Sequence, residues 1–470
     1  MSTTSPTVDG PRLYSTLSRR SEPLEPGPDG TVRMYVCGPT VYGPVHVGNA
    51  RPFVVFSVLK RYLTRRGFAV RFVSNVTDVN DKIYAAAGRE EVPSAELAAR
   101  YLAEYVADTD RLELGRPDLE PTVTGHMPEI IDLIERLITV DLAYPSHGDV
   151  YFRVNRFPGY GKLSGRRLDE LLVTEPGDAK EHPLDFALWK GHKPDEDTFW
   201  ESPWGNGRPG WHIECSAMAQ SALGPSFEIH GGGIDLAFPH HENEIAQSEG
   251  ANGVPMARIW AHNEMLELGG KMSKSEGNII LLRDALDRWG RDVLVAFFLR
   301  THYRSKLPFG DPALEDTARQ VETIRNTTLA LDRAESAPGT GINRELADTL
   351  VAARNDFFDA LDDDFHTPRA FAALFEVIHA IHRAVDGARP GLAQLQATRS
   401  EFVALLDVLG LASLAVSRPG APVEIVALAR EREIARAEGD FARADELRAE
   451  IEARGYEVRD TPEGPQVTSR

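Results

Sequence analysis

The chain has 470 residues, 26% of them charged, and a formal net charge of −19 at pH 7. This length predicts more than one domain, and two cysteines are too few for a disulfide framework, so a cytoplasmic location is expected. The negative net charge argues against a general nucleic-acid-binding protein, although a local basic face could still bind a nucleic-acid backbone. No apolar run approaches the roughly 20 residues of a membrane span, and the polar N-terminus lacks a secretory signal pattern.

A strand, a glycine- and proline-rich turn and a helix are predicted near the start of the chain. The apolar residues 31–37 predict the strand, and residues 52–66 predict the helix, because Pro52 is tolerated in a first turn. Free N–H groups at such a helix start can bind an anion. The sequence HVGN at residues 46–49 lies at this turn and is a candidate phosphate contact, although a loop histidine is usually only solvated.

A second apolar stretch, residues 68–74, predicts a parallel strand that completes a βαβ unit. Asn75 and Asp78 follow the carboxyl end of this strand, where such sheets place their ligands. The same two residues also fit an ordinary turn that caps the next helix. The residues themselves leave both interpretations open.

The middle of the chain alternates between irregular and α/β patterns. Residues 122–203 have an irregular pattern, with a predicted helix near 128–140 and short strands. The α/β pattern resumes beyond it, with a strand at 227–230 and a helix that starts near His240. Further on, a strand-like stretch leads through Gly269-Gly270 to Lys271 and Lys274. Two lysines on a glycine-hinged loop can neutralise charge that develops on a triphosphate in a transition state.

The C-terminal third is predicted to be helical. Apolar residues step by three and four from residue 311 onward, which predicts a helix bundle. A linker rich in proline and glycine precedes a helical hairpin that turns at Gly439-Asp440 and ends in a strand-like tail. Residues 424–470 hold eight arginines against twelve carboxylates, which by itself indicates only a solvated charged surface.

Cys37, Cys215, His240 and Glu244 form a candidate metal set. His240 and Glu244 are four residues apart, so on one helix they project from the same face. Thiolates and imidazole suit Zn²⁺. The two cysteines lie far apart in sequence, and from the residues alone the favoured interpretation is two small buried thiols.

Five motifs together resemble those of a known enzyme class. HVGN at 46–49 and KMSKS at 271–275 resemble the paired signatures of class I aminoacyl-tRNA synthetases. CGPTVY at 37–42, EIHGGGIDL at 228–236 and FPHHENE at 238–244 narrow the resemblance to the cysteinyl-tRNA synthetases, over nearly the whole chain. The resemblance implies an α/β fold: a Rossmann-type parallel-sheet catalytic domain with an insertion, an all-α helix bundle and a small C-terminal anticodon-binding segment.

The implied domains follow one another along the chain. They are a disordered tail (1–11), the first half of the catalytic domain (12–121), the inserted connective region (122–203), the second half (204–268), the KMSKS loop with a stem-contact region (269–310), the helix bundle (311–416), a linker (417–423) and the anticodon-binding segment (424–470).

The resemblance also implies roles for individual residues, and it reverses the preference for two buried thiols. One zinc ion per chain is implied on Cys37, Cys215, His240 and Glu244. Implied catalytic residues are Lys271, Lys274, His46 and Asn49. Implied ATP contacts, with Mg²⁺ on the ATP, are His46, Gly48, Asn49, Gly232, Asp235 and Lys274. The implied cysteine pocket comprises Cys37, Gly38, Thr77, Trp211 and His230. Asn49 stands where the family often has a second histidine, and it can form a hydrogen bond but carries no charge.

The implied reaction joins L-cysteine and ATP to cysteinyl-adenylate, releases pyrophosphate, and transfers cysteine to the 3′ end of tRNA(Cys). Zinc binds a thiolate strongly and an alcohol poorly, so it can separate cysteine from serine without an editing domain. We expect a cytoplasmic monomer that binds no membrane. Pro465-Gln466-Val467 stand where the family often has an aromatic residue able to stack on an anticodon base.

Two alternatives are compatible with part of this pattern. A zinc-dependent ligase of mycothiol biosynthesis, which joins activated cysteine to an amino sugar, shares the zinc and adenylation motifs. It lacks a full anticodon region and counterparts of Glu244 and His230, so these features favour the tRNA enzyme. A non-catalytic tRNA-binding paralogue is disfavoured by the intact KMSKS sequence and the complete ligand set.

Overall fold

A computed structural model describes residues 10–170, 179–268, 280–416, 422–461 and 464–469. The chain divides into two compact units, Met1–Leu414 and Ala415–Arg470. In the described ranges, no helix is both long enough and apolar enough to span a bilayer.

Fourteen strands and fourteen α-helices make up the regular structure of the described ranges. The strands are β1 (Arg12–Ser15), β2 (Arg20–Pro23), β3 (Thr31–Val36), β4 (Ala69–Ser74), β5 (Ala143–Ser146), β6 (Asp149–Phe152), β7 (Phe186–Gly191), β8 (Gly207–Pro209), β9 (Phe227–Gly233), β10 (Ala257–Asn263), β11 (Leu266–Leu268), β12 (Leu307–Phe309), β13 (Tyr456–Thr461) and β14 (Gly464–Ser469). The helices are α1 (Val47–Arg65), α2 (Asp81–Glu90), α3 (Ser94–Asp110), α4 (Met127–Thr139), α5 (Trp211–Leu223), α6 (His240–Asn252), α7 (Leu282–Trp289), α8 (Arg291–Leu299), α9 (Asp311–Ser336), α10 (Arg344–Asp362), α11 (Thr367–Asp386), α12 (Leu392–Val408), α13 (Val423–Ala437) and α14 (Phe441–Ala453).

The centre of the first unit is a four-stranded parallel sheet in the order β10-β9-β3-β4. The predicted βαβ unit supplies β3, α1 and β4. The second half of the α/β pattern supplies β9, which pairs with β3 so that Tyr35 lies beside His230 and Val36 beside Gly231. The carboxyl ends of β3 and β9 therefore meet at one edge of the sheet, where ligands bind in such folds.

Helix α1 begins earlier than the predicted start at Pro52. His46 is extended, with φ −99° and ψ 160°, and the helix begins at Val47, which leaves Pro52 inside it. A proline removes one helical hydrogen bond, here the one that its nitrogen would give to the carbonyl of Gly48. The rest of the helix tolerates this loss because its apolar face is buried from Val47 to Leu63.

The inserted region contains a separate antiparallel sheet in the order β5-β6-β7-β8. Its last strand, β8, pairs with β7 and lies beyond residue 203, where the insertion was predicted to end. The predicted helix near 128–140 is α4. Helix α4 packs against α5 and α6, the two helices that follow the insertion.

Helices α9 to α12 follow the catalytic region within the first unit, and α10 packs against α11. The second unit contains α13, α14 and the antiparallel hairpin of β13 and β14. The predicted strand-like tail is thus a pair of strands. Ile425, Ala429, Ile451 and Val458 form a buried cluster within this second unit.

Candidate metal centre and nucleotide cavity

The four candidate metal ligands come together at the edge of the central sheet. Cys37 directly follows β3, Cys215 lies on α5, and His240 and Glu244 lie one turn apart on α6. All four side chains are buried, and their ligand atoms lie within 4.8 Å of one another. The fold therefore brings together two thiols that are 178 residues apart in sequence.

The separations within this cluster match those of a zinc site. The Cys37 and Cys215 Sγ atoms are 3.7 Å apart, against about 3.8 Å for two sulfurs in a tetrahedral zinc site. His240 Nε2 lies 3.1 Å from Glu244 Oε1, against about 3.4 Å for a nitrogen and an oxygen in such a site. The residues present fit a tetrahedral metal ion that takes two sulfurs, one nitrogen and one oxygen.

Charges within the cluster favour a bound cation. The Cys37 thiol beside it lowers the pKa of Cys215 to about 6, whereas burial raises the pKa of Cys37 well above its ordinary value. Burial opposes ionisation of Glu244, but His230 and His240 hold the pKa of this carboxyl well below its usual range. A thiolate and a carboxylate are thus stabilised in a buried site, in the forms that bind a divalent metal.

Further histidines surround the cluster and orient its members. His230 Nε2 lies 2.9 Å from Glu244 Oε2, which leaves the other carboxylate oxygen facing His240. His212 Nδ1 lies 2.9 Å from His240 Nδ1, so the Nε2 atom of His240 is the one turned toward the thiols. Such contacts fix the tautomer and the ring orientation of a ligand.

A second, overlapping group also meets the distance criterion for a metal site: Cys37, His230, His241 and Glu244. It contains one thiol instead of two. His230 Nε2 already contacts Glu244 Oε2, and His241 Nδ1 lies 2.8 Å from His262 Nε2. The group with two thiols is therefore the better donor set for zinc.

His212, His241 and His262 were not predicted to belong to the site. His241 lies within the FPHHENE motif, which was a signal for it, and His212 directly follows Trp211, a predicted pocket residue. His262 lies on β10 and has no motif of its own. Its position became apparent only from the pairing of β10 with β9.

Three residues predicted to form the cysteine pocket, Trp211, Thr77 and His230, have the following surroundings. Trp211 is 37% exposed, and its ring centre lies 4.3 Å from that of His240. Thr77 is buried, and its hydroxyl lies 3.4 Å from Glu214 Oε2. His230 is buried below the cluster, where it stacks on Trp260.

Asn75 and Asp78, for which two interpretations were open, have different surroundings. Asn75 Oδ1 accepts a hydrogen bond from Gly38 N at 3.0 Å and lies 3.6 Å from Cys215 Sγ. Asp78 accepts hydrogen bonds from the backbone and hydroxyl of Thr124. Asn75 therefore contacts the site, whereas Asp78 ties the sheet edge to the turn before α4.

Gly38 is expected to tolerate no side chain. A Cβ atom there would lie 1.8 Å from the backbone oxygen of Asn75. Gly38→Ala should therefore lower the free energy of unfolding by about 1–3 kcal/mol, measured by urea denaturation. The matched control is Gly88→Ala in α2, where the new Cβ meets nothing within 4 Å and should stabilise by about 0.5–1 kcal/mol. Equal effects of the two substitutions would contradict the steric argument.

A cavity of about 550 Å³ extends from the cluster to the start of α1. Cys37 and Gly38 lie at one end, and the HVGN residues His46, Gly48 and Asn49 line it further along. Asp235 lines the same cavity; of the glycine triplet, Gly233 does so and Gly232 does not. The volume of this cavity and the positive end of the α1 dipole beside it suit a nucleotide phosphate chain.

The two lysines of KMSKS, Lys271 and Lys274, lie outside the described residues. The chain that follows them returns to the HVGN turn, where Val47 N donates to Ile280 O at 3.0 Å and Leu282 N to Val45 O at 2.9 Å. The described residues on the C-terminal side of the loop thus contact the start of α1.

Comparison with known proteins identifies the family. The chain is 44% identical to the cysteine–tRNA ligase of Geobacter sulfurreducens, over 96% of this chain and 98% of that protein. It is also 44% identical to the cysteine–tRNA ligase of Brevibacillus brevis, with 97% and 98% of the two chains covered. The chain belongs to the cysteine–tRNA ligase family. Matching domain models are the class I (C) tRNA synthetase catalytic domain at residues 23–319, the DALR domain at 356–413 and the cysteinyl-tRNA ligase anticodon binding domain at 418–467.

Solved structures confirm the predicted class I fold for this cysteine–tRNA ligase family member. A methionyl-tRNA synthetase of Mycobacterium tuberculosis superimposes with a TM-score of 0.61 at 15% identity, covering 82% of this chain and 91% of that one. At this identity the likeness concerns the fold alone. The parallel sheet, its insertion and the helices that follow are thus the α/β architecture predicted from the sequence.

Proposed function

We propose that this chain is an active cysteine–tRNA ligase, which forms cysteinyl-adenylate from L-cysteine and ATP and then transfers cysteine to the 3′ end of tRNA(Cys). The observation that carries the proposal is the buried cluster of Cys37, Cys215, His240 and Glu244 at one end of a nucleotide-sized cavity. A thiol-selective centre beside a phosphate-binding turn suits activation of cysteine. Membership of the cysteine–tRNA ligase family supports the same reaction.

The metal that fits the cluster is zinc, one ion per chain, held by these four residues. When bound, zinc supplies preferential binding of the substrate thiolate over the alcohol of serine. The chain's own residues hold the ligands in place: His230 contacts the distal oxygen of Glu244, and His212 contacts His240. Trp211 and Thr77 would enclose the remainder of the amino acid, beside the close approach of Gly38 to Asn75.

Different residues of the cavity would contact different parts of the ATP molecule. His46, Gly48 and Asn49 at the start of α1 would bind its phosphates, because a helix start favours negative charge. Asp235, which lines the same cavity, would accept hydrogen bonds from the ribose. Bringing the carboxylate of cysteine to the α-phosphate in this way converts a bimolecular step into a positioned one.

Cysteine-dependent exchange of pyrophosphate into ATP is the experiment that tests the first step. The purified chain should catalyse exchange with cysteine and none with serine at equal concentration. The second step is tested by offering purified tRNA and an amino-sugar acceptor in parallel. Transfer to the amino sugar but not to tRNA would favour the mycothiol-type ligase and overturn the proposal.

We infer a monomer that acts in the cytoplasm, because the candidate cluster and the cavity are built from residues of one chain and the free thiols require reducing conditions. Sedimentation equilibrium at the concentration used for activity tests the oligomeric state. A dimer mass at that concentration would contradict it.

Lys274 is expected to stabilise the transition state of adenylate formation. Its charge would neutralise negative charge that develops on the phosphates, so Lys274→Ala should slow single-turnover adenylate formation by roughly 10²–10³-fold. The Kd for cysteine should change little, because the lysine acts on the reacting phosphates. The matched control is Lys306→Ala, an exposed lysine of the same unit. Equal losses in rate and cysteine affinity would assign Lys274 to ground-state binding instead.

A further inference from the structure

Arg51 is a fully buried cation two residues beyond the HVGN turn, on α1. Its guanidinium donates to four backbone carbonyl oxygens. Nη1 donates to Glu264 O at 2.5 Å and to Met265 O at 3.1 Å. Nη2 donates to Ser305 O at 2.8 Å and to His302 O at 3.3 Å. Among the described residues it forms no ion pair with a carboxylate.

Burying an arginine without a carboxylate ion pair is costly, because its charge leaves water. Arg51 gains in exchange four carbonyl dipoles and a Coulombic attraction to Glu264. Burial lowers the pKa of Arg51 to about 10, so the side chain is still protonated at neutral pH. An apolar residue would fill the same space without that cost. What an apolar residue could not do is bind several carbonyl groups in a fixed planar geometry.

The four carbonyls belong to two segments that are distant in sequence. Glu264 and Met265 lie between β10 and β11, whereas His302 and Ser305 precede β12. Strands β11 and β12 pair in parallel directly afterwards. Arg51 therefore fastens the starts of both strands to the first turns of α1.

These segments form one wall of the nucleotide cavity, and α1 forms another. Met265 and Asn263 line the cavity on the side that Arg51 holds. His46 and Asn49 line it at the start of α1. The metal cluster depends on other elements: Cys37 follows β3, and its partners lie on α5 and α6.

We propose that Arg51 is a positioning residue for ATP, which sets the separation between the α1 turn and the wall at Asn263 and Met265. The proposal rests on the proposed function, because it takes this cavity as the ATP site. It predicts that loss of the guanidinium impairs ATP binding selectively. The cysteine end of the site keeps its geometry because Arg51 contacts none of its elements through a hydrogen bond among the described residues.

The test is substitution of Arg51 in the full-length enzyme. Arg51→Met keeps an unbranched stem and removes all donors, so the KM for ATP in cysteine-dependent pyrophosphate exchange should rise by roughly tenfold or more. The KM for cysteine should change by less than about threefold. Arg51→Lys should give an intermediate rise, because an ammonium can donate to some of the carbonyls but lacks the planar fork.

Arg291→Met is the matched control. Arg291 also donates to carbonyls of two segments, to Leu112 O at 2.7 Å and to Gly410 O at 2.7 Å, but does not line the cavity. Arg291→Met should lower thermal stability about as much as Arg51→Met, and it should leave the KM values for ATP and for cysteine unchanged. A merely structural role of Arg51 would make the two variants behave alike.

Equal rises in both KM values, or an unchanged KM for ATP, would overturn the proposal. If Arg51→Met does not fold, Arg51→Lys is judged by the same selectivity for ATP over cysteine. Calorimetric titration of wild type and Arg51→Lys with Mg²⁺·ATP gives a readout independent of catalysis. An enzyme that binds ATP but shows no cysteine-dependent exchange would contradict the proposed function, whereas equal ATP affinity in both forms would contradict the role of Arg51.

Discussion

Cys215→Ser should leave the protein folded but remove most of its metal and its ability to activate cysteine. An alcohol is a poor ligand for zinc, and the cluster offers four side-chain donors in total. Loss of a residue that only hydrogen-bonds to a metal ligand already lowers metal affinity or activity roughly 10–100-fold. Loss of a ligand should cost at least that much in pyrophosphate exchange. Metal content by mass spectrometry should fall from about one zinc per chain to a small fraction.

Ser216→Ala provides the matched control for this prediction. Ser216 is the next residue on α5, is equally buried, and its hydroxyl lies 2.6 Å from Gln247 Oε1. Its removal disturbs a buried polar contact without touching the four candidate ligands. This variant should keep its zinc and most of its exchange activity. Full exchange activity in zinc-free wild-type protein would refute the metal hypothesis, and the two cysteines would then be ordinary buried thiols.

Local patterns predicted the elements of the fold better than their pairing. The run of apolar residues at 31–37 and the glycine- and proline-rich turn after it predicted β3 and α1. The pairing of β3 with β9 could not be predicted from such patterns, because the whole insertion separates the two strands and parallel pairs share no turn. The start of α1 was misplaced because Pro52 was assumed to lie in its first turn, whereas the helix accommodates it further inside.

For the candidate site as well, local patterns predicted single elements but not how they come together. Helical spacing alone indicated that His240 and Glu244 share a face, and the structure places both on α6. The two cysteines could be brought together only by resemblance to a family, because no spacing relates a residue that follows β3 to one on α5. His262 pairs with Gly232 in the register of β9 and β10 and contacts His241 of α6, so its position depends on strand pairing. Arg51 carries a charge that usually indicates a surface residue, and its burial became evident only from the packing.

Deleting the second unit, residues 415–470, should separate cysteine activation from tRNA charging. The metal cluster and the nucleotide cavity consist of residues of the first unit, and the second unit has its own buried cluster around Ile425 and Ile451. Cysteine-dependent pyrophosphate exchange should therefore stay within about threefold of the full chain. Charging of tRNA(Cys) should fall by roughly a hundredfold or more, because contacts far from the reacting atoms position the acceptor end.

The fall in charging should come mainly from weaker tRNA binding, which filter binding measures directly. Charging by the full chain should also decline as salt rises, because cations compete for the phosphates that the protein contacts. Leu447→Ala in the full chain is the matched control, since it loosens the interior of the second unit without shortening the chain. If that unit only supports the fold, the deletion should lower thermal stability and both activities together. A folded deletion variant that activates cysteine and charges tRNA at the full rate would show that the second unit does not contribute to tRNA recognition.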